Sequence, residues 1–379
     1  MRIAIKLTFL LLPLLVFSGA AAQFKVSFVV TGLPAYHGKD EPLFITGSFC
    51  NWNPGDGRMR FGFIGGKPGI TIELSKGMFE YKITRGSWDK AEAAAGGLPI
   101  ANRQLQLESD TTIEIAIEHW SDHFPKRPKQ TTASPNVHVI DTAFFIPQLN
   151  RHRRVWIYLP AQYAGSGERY PVVYMQDGQN VFDEASSAYG EWGVDEALDS
   201  LPAGRRQAII VAIDNGGSKR INEYAPYDME RFGKGEGDMY VDFLAKTLKP
   251  YIDRNYRTKK GRDHSFVAGS SMGALISFYA VLKYPGVFGG AGIFSPAFWV
   301  NPRFRNLDPK KLRKLKSRLY FYAGREEGEQ MVPDMLAVFD QLHRHSKARM
   351  ETVIRAEGKH NEATWRGEWV NFFDWLMNP

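Results

Sequence analysis

The stretch His264-Ser265-Phe266-Val267-Ala268-Gly269-Ser270-Ser271-Met272-Gly273 decides the fold. Its first half is a short, largely apolar run suited to a buried strand. Residues 274–282 that follow suit a helix. Between them stands Gly-x-Ser-x-Gly. A serine on a sharp strand-to-helix turn is the context of an α/β-hydrolase nucleophile elbow. Side chains at Gly269 and Gly273 would collide with neighbouring backbone, and Ser271 must take strained φ/ψ to project its hydroxyl.

A serine hydroxyl is a weak nucleophile at neutral pH and needs a base, which in turn needs an orienting carboxylate. In α/β-hydrolases these follow in the order serine, acid, histidine. His360 has the right order and setting, after the last candidate strand (351–354) and before the last candidate helix (362–377). His37, His119, His123 and His152 are read as surface or packed residues, and the pair His343-x-His345 lacks a third metal ligand. The acid falls in Gly324-Arg325-Glu326-Glu327-Gly328-Glu329, after the strand expected at 319–323, and all three glutamates compete for it. An oxyanion needs two amide donors. One is that of Met272, and the other belongs to Gln176-Asp177-Gly178-Gln179-Asn180, after the strand expected at 172–175.

Outward from this centre, candidate strands at 154–159, 172–175, 208–213, 264–268, 291–294, 319–323 and 351–354 alternate with candidate helices at 237–254, 331–345 and 362–377. Alternation of this kind predicts an α/β fold, with helices on both faces of a mostly parallel sheet. Residues 23–120 read all-β, with short strands expected at 25–30, 43–45, 69–74, 79–83 and 112–117, and predict a small sandwich of the immunoglobulin-like kind. Residues 121–135, with Pro125, Pro128 and Pro135 among lysines and threonines, read as a linker. The second domain then runs over 136–379.

Residues 136–379 resemble a family of α/β-hydrolases that includes feruloyl and acetylxylan esterases, enterobactin-type esterases and mycolyltransferases. The matching pieces are Tyr174-Met175-Gln176-Asp177-Gly178-Gln179-Asn180, Gly269-Ser270-Ser271-Met272-Gly273, Tyr322-Ala323-Gly324-Arg325-Glu326-Glu327 and Gly358-Lys359-His360-Asn361. The resemblance implies Ser271 as nucleophile, His360 as general base and Glu327 as the triad acid. It places the oxyanion amides at Gln179 and Met272. It also brings the loop 214–224 to the cleft, where Arg220, Glu223 and Tyr224 orient substrate. An Arg220–Glu223 ion pair of purely structural use is an equal reading. Trp299 is read as a pocket wall or as core.

The β domain resembles starch-binding modules of the glucoamylase type, through Ile45-Thr46-Gly47-Ser48-Phe49-Cys50-Asn51-Trp52-Asn53-Pro54, residues 79–88 and residues 100–103. That resemblance puts Trp52, Lys82 and, more loosely, Trp88 at sugar-binding positions. The alternative is a structural companion with Trp52 packed on the core.

Composition bounds the rest. The chain has 379 residues, 44% hydrophobic, with net charge +7. Cationic residues are read as scattered apart from residues 310–316, a solvated helix face without interleaved aromatics, so nucleic acid is not expected as a partner. Met1 to Ala22 has Arg2 and Lys6, a short apolar core and Ala20-Ala21-Ala22, the features of a cleaved secretory leader. Secretion or a periplasmic location follows, with no stable membrane insertion. Cys50 is the only cysteine and is read as packed, so no internal disulfide forms. No cofactor and no metal are expected. The expected activity is carboxylic ester hydrolysis on acylated carbohydrate. The alternatives are a siderophore ester hydrolase, an acyltransferase, and a glycan-binding protein with an inactive hydrolase domain.

Overall fold

The computed structural model describes residues 23–50, 52–125, 129–202, 205–230 and 232–378. The expected leader, Asn51 and linker residues 126–128 lie outside the described residues. The chain forms two compact units that divide between residues 127 and 128.

In the second unit, eight strands form one sheet: β1 (Val137–Ile146), β2 (Arg151–Tyr158), β3 (Val172–Gln176), β4 (Ile209–Ile213), β5 (Ser265–Ser270), β6 (Gly290–Phe294), β7 (Arg318–Gly324) and β8 (Arg349–Arg355). Their spatial order is β1-β2-β4-β3-β5-β6-β7-β8. β1, β2 and β4 pair antiparallel, and every pair from β4 to β8 is parallel. The central strands are buried on both faces, as parallel strands between helices must be. Alternate residues feed two cores. Val172, Tyr174, Ile209 and Val211 pack with the helices Met272–Lys283 and Met331–His345. Val173, Met175, Ile210 and Ala212 face the opposite side, where Trp365, Trp369 and Phe372 of the helix Glu362–Met377 pack. The stretch expected as one helix over 237–254 is helical throughout, with one wider turn at Leu244–Leu248. Because β3 to β8 run parallel, their C-terminal ends lie along one edge, and the loops that leave it are where such sheets carry sites.

The first unit is all-β. A four-stranded sheet holds Gly62–Ile64, Lys67–Ser75, Gln23–Gly32 and Thr111–Ala116, and a three-stranded sheet holds Phe44–Gly47, Gly77–Thr84 and Arg103–Leu107. Val26 and Phe28 of the first sheet and Ile45, Tyr81, Ile83 and Leu105 of the second share one core.

The division falls inside residues 121–135, the segment expected as a linker, and the residues on either side of it are bonded to the two units. Ser121 donates its amide to Ala91 O within the first unit. Residues 129–136 are strapped to the second: Lys129 Nζ donates to Ser187 O (2.7 Å), Thr132 N to Asp183 Oδ1 (3.1 Å), Thr132 Oγ1 to Glu191 Oε2 (2.7 Å) and Ser134 N to Asp195 Oδ2 (2.8 Å). A polar, proline-spaced segment reads as solvated, yet its donors are what buried carboxylates require.

Candidate active site

The turn at the end of β5 is as tight as its sequence requires. Ser271 has φ +56° and ψ −120° and caps the helix Met272–Lys283. A Cβ on Gly269 would lie 2.9 Å from Gly273 C, and one on Gly273 would lie 3.0 Å from Gln176 Cβ. The first is closer than real Cβ atoms come to backbone and the second would force Gln176 to shift, so glycine lets β5 turn into its helix beside the end of β3. Ser271 is partly exposed, its amide donates to Phe294 O (2.9 Å), and its carbonyl accepts from Ala297 N (3.1 Å). Met272 N starts the helix, where an amide has no intrahelical acceptor.

The loops after β7 and β8 meet backbone to backbone. A Cβ on Gly324 would fall 2.0 Å from Gly358 O. This contact sets Glu327 beside His360, with Oε2 2.7 Å from Nδ1. The Glu327 side chain is fully buried while the imidazole is 39% exposed. Its other oxygen, Oε1, accepts from Gly324 N (2.6 Å) and Ser295 Oγ (2.7 Å), and Ser295 Oγ accepts from Trp365 Nε1 (2.8 Å). Of the three competing glutamates only Glu327 meets an imidazole. Glu326 pairs with Lys359 Nζ at 3.5 Å. Ser295, at the end of β6, is buried with φ +48° and lies beside the Phe294 that holds Ser271. One connected set therefore runs from Ser271 through the end of β6 to Glu327 and His360. No hydrogen bond joins the Ser271 hydroxyl to His360.

Asp177, φ +57°, opens the short helical turn Gly178–Asn180 that carries Gln179. Its carboxylate takes both Arg220 Nε (2.6 Å) and Nη2 (2.8 Å), together with Asn215 Nδ2 (2.7 Å). The sequence reading of this loop needs correction. Arg220 does not pair with Glu223, and Glu223 and Tyr224 are fully buried, so neither reaches a ligand in the cleft. Glu223 Oε1 instead accepts from Arg151 and Arg153, and Tyr224 OH accepts from Asp177 N (3.2 Å). Trp299 is 48% exposed, which removes the core reading.

Sequence reasoning missed Ser295, Trp365 and Glu362. Glu362 is buried two residues beyond His360 and accepts from Asn180 Nδ2 at 2.9 Å. Burial first, and then the Asp177 charge, push its carboxyl up to about 7. The folded chain therefore holds this proton where the unfolded chain has released it. Stability falls as pH rises from about 4.5 to 7 and levels off above, by an amount on the order of 3 kcal/mol. Glu362→Gln keeps an acceptor for Asn180, and in urea unfolding at pH 5 and pH 8 it is expected to remove that part of the difference between the two.

In the first unit the rings of Trp52 and Trp88 come together, with centroids 6.2 Å apart. Trp88 is 39% exposed and Trp52 half-buried, with φ +55°. Lys82 Nζ donates to Ile100 O (2.6 Å), and burial lowers its pKa. Cys50 is buried, with Gly47 N on its sulfur. Among the described residues no group of three histidines, cysteines, aspartates or glutamates is arranged to hold a metal, and no helix is long and apolar enough to cross a membrane.

The chain is similar to an endo-1,4-β-xylanase/feruloyl esterase of Xylanibacter ruminicola, 26% identical over 215 residues, which covers 55% of this chain and 27% of that protein. It is also similar to an α-amylase of Niallia circulans, 34% identical over 102 residues, which covers 26% of this chain and 8% of that protein. The chain thus spans only a small part of these two relatives. In fold it is similar to the enterobactin esterase of Shigella flexneri, with TM-score 0.53, 16% identity, and coverage of 94% of this chain and 93% of that one. Residues 146–374, more than half of the chain, match the family model Esterase, described as "Putative esterase", and the chain, a carboxylic ester hydrolase, belongs to that family.

Proposed function

We propose that the chain is an exported serine esterase that cleaves acyl groups from carbohydrate through Ser271, His360 and Glu327. The observation that carries this reading is the buried Glu327 carboxylate on His360 Nδ1, at the same sheet edge as the strained Ser271. With Nδ1 held as a donor, Nε2 is left as the acceptor for the serine proton. Ser271 Oγ attacks the ester carbonyl while its proton passes to His360. The carbonyl electrons move to oxygen, where the amides of Met272 and Gln179 are the proposed donors. Collapse expels the alcohol with the proton from His360, and water repeats the sequence to release the acid. Hydrogen bonds of this kind tighten when substrate seats, which accounts for the unbonded Ser271 hydroxyl.

Carbohydrate as the acylated partner is supported by the feruloyl esterase and amylase relatives and by the Trp52–Trp88 pair, since indole faces suit the apolar faces of sugar rings. The same reading makes the first unit a starch-binding-type sandwich and the leader an export signal. A panel of acetylated and feruloylated oligosaccharides beside a catecholate triester tests the substrate class, and turnover of the triester alone would overturn it. Trp52→Ala in the full chain is expected to weaken retention on starch or xylan about tenfold or more, measured by depletion assays. Retention unchanged by Trp52→Ala would leave the first unit a structural role.

A further inference from the structure

The opposite end of the sheet, where the parallel strands begin, carries a second concave site. A cavity of about 1050 Å³ opens there, lined by segments leading into β3, β4, β5 and β7. β3 is five residues long, so this end lies about 15 Å from the catalytic edge. Five cations line the cavity: Arg169, Arg205, Arg206, Lys259 and Arg318. Two carboxylates do so, Glu168 and Asp263.

The partners of these cations are mostly not anions. Arg205 pairs with Asp374, and Asp263 lies 3.5 Å from Arg262. Arg206 donates to Met377 O, Arg318 to Leu376 O and to Asp263 O (2.6 Å), and Arg169 to Thr258 O (3.4 Å). A backbone carbonyl satisfies a donor but leaves its charge in place. The Lys259 ammonium has no hydrogen-bond or ion-pair partner among the described residues, although its amide donates to Tyr170 O (2.8 Å). Four cations thus face Glu168 as the one carboxylate not already matched to a neighbour. The surplus is felt locally. Burial lowers the pKa of Arg318; the Asp263 charge opposes the shift, and the charges of Arg349, Arg206 and Arg262 add to it. Burial and Lys259 likewise depress His264. A charged concavity with low-dielectric walls focuses its field more than an exposed charged face does. Guanidinium forks match oxyanions in geometry as well as sign.

We propose that this cavity binds a multivalent oxyanion, a polyphosphate or an oligomeric carboxylate such as an acidic oligosaccharide, at a site separate from the ester-cleaving edge. Neutral sugars lack the charge to offset the surplus, and single-charge anions offset only about a third of it.

Isothermal titration of the full chain with tripolyphosphate, trigalacturonate, acetate and maltotriose tests this. Saturable binding of at least one of the first two is expected, weakened as salt rises from about 50 to 300 mM. The double variant Arg169→Glu/Lys259→Glu is expected to reduce that affinity about tenfold or more while p-nitrophenyl acetate hydrolysis stays unchanged. A preference for tripolyphosphate or for trigalacturonate identifies the source of the anion. Absence of saturable binding for both, acetate binding as tightly as they do, or affinity untouched by the double variant would overturn the proposal. Lys259→Gln alone, which breaks no internal bond, guards against a folding defect in the double variant and is expected to give a smaller loss in the same direction.

Discussion

Ser271→Ala is expected to lower kcat on p-nitrophenyl acetate by about 10⁴-fold or more. The substitution deletes the oxygen proposed to form the acyl-enzyme and changes little else, since the hydroxyl holds no hydrogen bond among the described residues. The Glu327–His360 pair and the proposed oxyanion amides of Met272 and Gln179 remain in place, so the activity expected to survive is the contribution of binding and oxyanion stabilisation to attack by water. Because no packing is lost, the unfolding midpoint should move little, and near-equal KM values would show that the cleft is intact. Rates equal to those of the parent enzyme would remove Ser271 from the mechanism.

Glu327→Gln is expected to cost about 10³- to 10⁴-fold in kcat with KM nearly unchanged. Oε1 of the new amide still accepts from Gly324 N and Ser295 Oγ. Its NH₂ group then occupies the place of Oε2 and donates to His360 Nδ1. That fixes the tautomer with the proton on Nε2, which cannot take the serine proton. Glu326→Gln and Glu329→Gln serve as controls and should stay within about twofold, as solvated surface changes do. A large loss in either control with Glu327→Gln active would move the acid and end the proposed relay.

These two experiments probe a site whose parts were unequally legible in the sequence. The elbow was readable because its constraint is local: two glycines, one serine and the strand and helix on either side lie within about 20 residues. The fold was readable for the same reason in the central strands, whose uninterrupted apolar runs follow from burial on both faces. β1 escaped notice because it is an antiparallel edge strand with register shifts and mostly solvated residues, so its pattern has neither continuity nor strict alternation. The acid was not readable from spacing alone. Three glutamates lie within four positions, and which of them meets the imidazole follows from the Gly324–Gly358 contact, which joins loops more than 30 residues apart. Ser295 left no signal, since its role arises from a positive φ and from partners in the loop after β7 and on the last helix. The Arg220–Glu223 pair offered as one reading does not form because Asp177 and the two arginines of β2 are nearer in space.

The strap over residues 129–136 bears on how the gene can be cut. A catalytic fragment begun at residue 136, where sequence composition suggests a boundary, would lose the donors now facing Asp183, Glu191 and Asp195, three acidic groups that the fold keeps away from solvent. Each orphaned acceptor costs about 1–3 kcal/mol. The loss would fall on the segment whose Trp192 and Val194 amides hold Asn180 O and Val181 O, immediately after the turn that carries Gln179. An excised hydrolase, a fusion or a swapped leading module should therefore retain the chain from Lys129 onward.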